Sequence, residues 1–261
     1  MMHKLLKVTF FSVSCLNTKA KLAKNLSKIK NYYDSFIKNE QMENIMRQPI
    51  ALVTDFDGTI TDDDFFTLVA KKYLSPFDLA PWNDYMNGNL SHFDALNKVF
   101  AKISIPEQEL ITFIKTITLD SSFAKTAIYC YQKEIPLYIC SAGCDYYINL
   151  LIGKLIKQTH INLITNKGEY TPQTGLIMQA PCDSIFYDEY VGISKSGVVK
   201  YLQDQGYEVI FCGDGPPDVA PAKIAQTVFA KKYLRDKCLE YNISIHKFNS
   251  FTDVLTYLKE I

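Results

Sequence analysis

The sequence reads as an α/β protein, a parallel sheet flanked by helices with an inserted helical cap and a small β insertion. Three observations carry that reading. Short apolar runs, IALVT (50–54), PLYIC (136–140) and EVIFC (208–212), are rich in β-branched and aromatic residues and end in small, polar turns. Uninterrupted runs of this length suit parallel strands buried on both faces. Segments with helical spacing lie between them, and strand alternating with helix builds a sheet with right-handed crossovers. Residues 55–135, between the first two runs, are too many for a single crossover helix.

Ahead of the first strand the chain is lysine-rich from Lys4 to Lys30 and has no acid before Asp34. Residues 1–49 are expected to form a basic N-terminal extension without a catalytic role. A targeting segment, an ordered extension and an upstream start all fit, since Met42 and Met46 closely precede the strand. Residues 5–16, LLKVTFFSVSCL, make a poor signal peptide: Lys7 interrupts them and no convincing cleavage site follows.

After the first strand, helical spacing falls over 64–73, 91–102 and 107–117, joined by segments holding Pro76, Pro81, Gly88 and Pro106. Residues 62–120 are therefore expected to be a helical cap, leaving 50–61 and 121–261 as the sheet domain. Within that domain SSFAKTAIYCYQK (121–133) reads as a helix with serine at its N-cap. Helical spacing also covers 144–156, 194–204 and 217–226. INLITNKGEYTPQTGLIMQ (161–179) reads as a hairpin or strand extension turning near Pro172 and Gly175.

Composition narrows the function classes. A chain of 261 residues holds one large domain, or a core domain with a modest insertion. Its 28 Lys and Arg balance 28 Asp and Glu, so the overall field gives no reason to expect nucleic acid or a membrane surface. No apolar run approaches the length of a membrane span. The cysteine count of 7 is odd and contains no CxxC; Cys140 and Cys144 lack the second pair a zinc site needs. Buried thiols in a reducing, cytoplasmic setting are the expectation.

The stretch ALVTDFDGTITDDDFF (51–66) crowds acids against a buried strand. Asp55 and Asp57 end the first apolar run, and Gly58, Thr59 and Asp62 to Asp64 follow. Other chemistry-bearing residues also fall at strand ends: Ser141 in CSAG, and Asp214 and Asp218 in GDGPPD. Lys195, in GISKSG, opens the helix leading to the last of these strands. Open parallel sheets bind ligands beyond the carboxyl ends of their strands, so these segments should converge on one crevice. Any of them alone reads more blandly, as an acidic turn, a helix cap or a solvated lysine. Their joint occurrence carries the inference.

Together the segments resemble the motifs of the haloacid dehalogenase (HAD) superfamily, specifically its DxDGT phosphatases, from residue 50 to the C-terminus. The resemblance implies a Rossmann-like sheet and a Mg²⁺-dependent phosphatase acting through an aspartyl-phosphate on a small phosphorylated metabolite. It makes Asp55 the nucleophile and Asp57 the acid and base, with neighbouring negative charges expected to raise the Asp57 pKa. It assigns Mg²⁺ to Asp55, the Asp57 backbone carbonyl and Asp214, and the phosphate oxygens to Ser141, Ala142, Gly143 and Lys195. Thr59 would brace the nucleophile loop, and Asp218 would orient Lys195 or a metal-bound water.

The insertion after the first motif resembles phosphoserine phosphatase-like members. EIPLYICSAGCDYY, GDGPPDVAPAKIAQTVFAKKYLRDKC and FNSFTDVLTYL are similar to the methionine-salvage branch, which hydrolyses 2-hydroxy-3-keto-5-methylthiopentenyl-1-phosphate. A cysteine-rich pattern before Lys195 is missing, and Pro216 and Pro217 stand where the motif usually has polar or small residues. Phosphoserine or another small ester, such as thiamine or pyridoxal phosphate, is the alternative substrate; a phosphomutase and an idle binding module are the alternative functions. Asp64 is either a reader of a substrate ammonium group or the first-turn acid of its helix. Trp82, the histidines and the tyrosines of CDYYIN read as packing or surface residues, and Phe65 and Phe66 as cap core.

Overall fold

The computed structural model describes residues 48–261, so the expected N-terminal extension lies outside the described residues up to residue 47. β1 (Ile50–Thr54) is followed by α1 (Phe65–Tyr73), α2 (Ala80–Met86), α3 (His92–Phe100), α4 (Glu107–Ile114) and α5 (Phe123–Gln132). Next come β2 (Leu137–Cys144), α6 (Asp145–Thr159), β3 (Asn162–Thr171), β4 (Gly175–Gln179), β5 (Tyr187–Asp188) and β6 (Gly192–Ile193). α7 (Lys195–Asp204), β7 (Glu208–Gly213), a 3₁₀ turn (Pro216–Asp218), α8 (Val219–Ala222), β8 (Thr227–Ala230), α9 (Lys232–Glu240) and α10 (Phe251–Glu260) complete the chain.

The six-stranded sheet runs β4-β3-β2-β1-β7-β8, and β5 pairs with β6 in a separate ribbon. β2 and β7 both pair parallel with β1, β3 pairs parallel with β2, and β4 is antiparallel to β3. The period-2 geometry of a strand sends Leu52 to one face and Ala51 and Val53 to the other. Leu52 joins an apolar layer with Leu137, Ile139, Ile210 and the helices α5 and α10. Ala51 and Val53 join a second layer with Val209, Phe211, Val228 and α7. All three β1 side chains are fully buried, so an unbroken apolar run is what this position demands. Each buried Leu, Ile or Val in these layers stabilises the fold by roughly 1.5–3 kcal/mol relative to exposure.

β1 is the switch point of the sheet. The chain leaves it for β2 on one side and takes up β7 on the other, which opens a crevice beyond its carboxyl end. The helices α1 to α4 stand between β1 and α5, and the β3–β4 arm reaches them. Met178 N–H donates to Asn97 Oδ1 at 2.7 Å, Tyr170 Oη donates to the Ile105 carbonyl at 2.6 Å, and Ser104 Oγ donates to the Pro172 carbonyl at 3.0 Å.

Several expectations change in detail. Pro81, read as a linker residue, sits in the first turn of α2, where a missing N–H costs nothing. The helix expected over 217–226 is only a 3₁₀ turn and the single turn α8, because Pro216, Pro217 and Pro221 remove amide donors. The β segment is a hairpin turning between Thr171 and Gly175, as expected, and it is also a strand extension: the first half of β3 belongs to the parallel sheet and the second half pairs antiparallel with β4. Strand β8 and helices α9 and α10 are additional. Cys130, Cys140, Cys144, Cys212 and Cys238 are buried free thiols, whereas Cys182 is exposed. Among the described residues no helix is long and apolar enough to cross a membrane.

Candidate active site

The turn after β1 is held by its own backbone and by α9. Gly58 adopts φ +74°, and a Cβ there would come within 2.2 Å of Asp214 Oδ2, so only glycine fits. Thr59 is buried, and its hydroxyl donates to Asp214 Oδ1 at 3.0 Å. Lys231 Nζ donates to the Thr59 carbonyl at 3.1 Å. Lys232 Nζ reaches the Gly58 and Asp62 carbonyls at 3.1 and 3.0 Å and Asp214 Oδ2 at 3.2 Å.

Asp55 lies at the base of the crevice, 7% exposed. Lys195, at the first position of α7 behind the N-cap Ser194, puts its ammonium 2.7 Å from Asp55 Oδ1 and 2.6 Å from Asp218 Oδ1. The other Asp218 oxygen accepts the Asp214 and Gly215 amides at 2.8 and 2.9 Å. Asp218 is thus fully engaged with protein groups. Burial, then Asp218, raise the Asp55 carboxyl well above the usual range, with Lys195 opposing them. Burial and Asp218 also raise Asp214. Burial would discharge Lys195, but the two aspartates outweigh it and its pKa is raised.

Asp57 has a different environment. Its Oδ1 accepts the Phe65 amide of α1 at 3.1 Å. Its Oδ2 accepts the Tyr147 hydroxyl at 2.6 Å and the Ser141 hydroxyl at 3.2 Å. The Asp57 carboxyl is pushed up to about 6, and the largest cause is burial. The expected charge repulsion contributes only through Asp64, and less than burial does.

Ser141, Ala142 and Gly143 lie where β2 breaks register with β3, between Ser141 and Cys144. The irregularity is supported from β3: Asn166, fully buried, donates to the Ala142 and Gly143 carbonyls at 2.9 and 3.0 Å. Gly143 N–H donates to Ser141 Oγ at 3.0 Å. A Cβ on Gly143 would sit 1.7 Å from the Tyr147 hydroxyl, so the loop passes as close to that ring as a backbone can.

These groups share one cavity of about 330 Å³. Asp55, Asp57, Ser141, Ala142, Gly143 and Lys195 line its base with Asp214. Phe66, Trp82, His92, Leu96 and Phe100 line it from the helical segment. Phe65 is core, stacked on Tyr147 with ring centroids 4.3 Å apart. Phe66 and Trp82 pack against the core as expected and also line the cavity, His92 lines it too, and Tyr147 is a core residue whose hydroxyl reaches Asp57. Tyr147 could have been suspected from its place in the first turn of the helix after Ser141. Asp64 lines the cavity and also caps α1, its two oxygens accepting the Thr67 amide at 2.7 Å and hydroxyl at 2.9 Å.

The carboxylate oxygens of Asp55, Asp214 and Asp218 lie within 4.8 Å of one another, which makes an acidic cluster able to hold a metal ion. Asp218 is held by Lys195 and two amides away from the cavity lining, whereas Asp55 and Asp214 both line the cavity and can turn an oxygen to a cation there. An all-oxygen set whose acids are raised first by burial and then by one another's charge fits a hard divalent ion.

The chain forms a parallel sheet with carboxylates at its switch point and helices over the crevice. Solved structures share that fold. A substrate-bound phosphoserine phosphatase complex matches with TM-score 0.57 at 14% identity, covering 81% of this chain and 99% of that one. A HAD family hydrolase from Salmonella enterica serovar Typhi matches with TM-score 0.60 at 18% identity, over 81% and 72%. In sequence, the chain is 30% identical over 216 residues to the 2-hydroxy-3-keto-5-methylthiopentenyl-1-phosphate phosphatase of Bacillus thuringiensis, covering 81% of this chain and 97% of the relative. Its namesake in Geobacillus thermodenitrificans is 28% identical over 219 residues, covering 83% and 98%. No protein-family model matches the chain. The chain belongs to the family of these bacillary phosphatases, and it is a phosphatase.

Proposed function

We propose that this phosphatase hydrolyses a small phosphomonoester through an aspartyl-phosphate on Asp55, with Mg²⁺ as cofactor and 2-hydroxy-3-keto-5-methylthiopentenyl-1-phosphate as its preferred substrate. The observation that carries the mechanism is the division of labour between two carboxylates in one cavity. Asp55 faces the Lys195 ammonium, while Asp57 is half-buried among hydroxyl and amide donors with its pKa pushed up to about 6. Carboxyl groups driven into unlike environments serve as nucleophile and acid.

In the first step an Asp55 oxygen forms a bond to phosphorus as the ester P–O bond breaks, and the leaving alcohol takes its proton from Asp57. In the second, Asp57 removes a proton from water as that water attacks phosphorus and frees Asp55. Ser141, the Ala142 and Gly143 amides and Lys195 hold the phosphate oxygens and oppose their charge. Thr59 and Asp218 keep Asp214 and Lys195 in place. Asp55, Asp214 and the Asp57 carbonyl would hold Mg²⁺, which neutralises charge on the transferring phosphoryl group. Residues 62–120 act as the cap over this centre.

The Asp57 assignment predicts a pH signature. Because Asp57 must carry a proton to act as the acid, kcat/KM on an alkyl phosphate should fall as pH climbs through about 6. The Tyr147 hydrogen bond lowers the Asp57 pKa, so Tyr147→Phe should move that limb to higher pH. A limb that stays put or moves to lower pH in the variant contradicts the assignment.

The substrate preference rests on the relatives' name and on the mixed aromatic and aliphatic wall of Phe66, Trp82, Leu96 and Phe100. A panel of metabolite phosphomonoesters should rank the methylthio-ketopentenyl phosphate first and phosphoserine second, ahead of thiamine and pyridoxal phosphates. Asp64→Asn separates the two leaders. An ammonium reader would lose about ten- to a hundredfold on phosphoserine, whereas an uncharged substrate should change by less than about threefold. A nucleotide or a phosphoprotein as best substrate would reject the preference.

A further inference from the structure

Asn166 is fully buried on β3, behind the residues that line the cavity. At this point β2 and β3 fall out of step. Ser141 pairs with Thr165 and Cys144 with Asn166, so Ala142 and Gly143 have no place in the ladder. The two N–H bonds of the Asn166 amide take up the carbonyls of those two residues, at 2.9 and 3.0 Å. Thr165 Oγ1 also donates to the Gly143 carbonyl at 3.1 Å, but Asn166 is the side chain that reaches Ala142.

The direction of this grip matters. The Ala142 carbonyl and the Gly143 N–H belong to one planar trans peptide and point opposite ways. With the carbonyl held on Asn166, the N–H faces away from it, and Ser141 Oγ accepts that N–H at 3.0 Å. Ser141 Oγ in turn donates to Asp57 Oδ2 at 3.2 Å. One side chain outside the cavity therefore fixes a peptide plane to which Ser141 and Asp57 are both tied.

That arrangement has a cost. Asn166 Oδ1 is buried without a hydrogen-bond partner. It lies against Gly192, where φ is +84° and an added Cβ would come within 2.1 Å of the oxygen. An apolar residue of similar size would avoid the unmet acceptor, yet could not hold the two carbonyls. Gly192 precedes Lys195 by three positions, so Asn166 is wedged between the loop and the segment that delivers the ammonium.

We propose that Asn166 is a positioning residue for the phosphoryl group: seated against Gly192, it sets the Ser141–Gly143 loop in the geometry that receives phosphate oxygens. This rests on the functional reading above, which places those oxygens at the loop, and adds the residue that aims it.

The probes are 4-nitrophenyl phosphate as substrate and inorganic phosphate as competitor, assayed well below the melting midpoint of each protein. Asn166→Leu keeps the volume and removes both donors. It should weaken inhibition by inorganic phosphate and lower kcat/KM, each by about ten- to a hundredfold. Gly192→Ala, which drives a methyl group into Asn166, should shift both constants in the same direction. A residue that only supported the fold would lower the midpoint and leave both constants unchanged. That result in Asn166→Leu, or in a folded Gly192→Ala protein, overturns the proposal. Should Asn166→Leu fail to fold, Asn166→Asp, with the same shape and at most one donor, takes its place with the same expectation. Ser141→Ala separates this inference from the reading beneath it. If Ser141→Ala leaves phosphate inhibition unchanged, that reading fails and this proposal with it; if Ser141→Ala weakens inhibition while Asn166→Leu does not, this proposal alone fails.

Discussion

Asp55→Asn should stop turnover while leaving the protein folded. The substitution keeps shape and removes the oxygen proposed as nucleophile, and residues that act as one catalytic unit fail together, so kcat should drop on the order of 10⁴-fold or more. Stability should hold or rise. Burial raises the Asp55 carboxyl well above its usual range, which means the folded state resists its charge, and a neutral amide relieves that. Lys195 keeps Asp218 as a partner at 2.6 Å. The check is a single-turnover assay with ³²P-labelled substrate beside a thermal melt. Near-normal rates with no loss of labelled enzyme would falsify the covalent route.

Lys195→Met should damage both activity and fold. Its ammonium is the partner of two buried carboxylates, and removing one member of a buried ion pair typically costs about 3–5 kcal/mol. Loss of its charge beside the proposed phosphate position should lower kcat by a further factor of about 10²–10³. The stability deficit should depend on pH with a definite sign. Asp55, whose folded pKa is already raised, binds its proton more tightly in the folded state than in the unfolded one. The deficit should therefore be largest at neutral pH and shrink as acid protonates the site. Denaturant melts of both proteins across pH measure it; a deficit that grows toward acid would show that Lys195 does not hold those charges.

What could be read in advance follows from how local each signal is. β1, β2 and β7 announce themselves because burial on both faces leaves no room for polar residues between Ile50 and Thr54 or between Val209 and Cys212. The acids at their ends stand out because charge beside a buried strand needs a reason. Tyr147 and Asn166 do not stand out. Tyr147 fits the apolar face of α6, and the carboxylate it serves is 90 positions away. Asn166 sits in a strand where an asparagine reads as an interruption, and its purpose is visible only once β3 lies beside the break in β2. Pro81 misleads for the opposite reason: proline marks the end of helices and also their first turn, and only the backbone tells which.

The β3–β4 arm carries a consequence for engineering. Its inner half steadies the Ala142–Gly143 loop through Asn166, and its outer half grips the helical segment through Tyr170, Met178 and the Pro172 carbonyl. One strand pair is thus shared by the candidate site and the helical segment. Exchanging residues 62–120 for those of another phosphatase, to graft a new specificity, would sever these contacts unless the arm travels with them. The transplantable module comprises two discontinuous pieces, and a chimera cut at the helices alone should lose catalytic power along with selectivity.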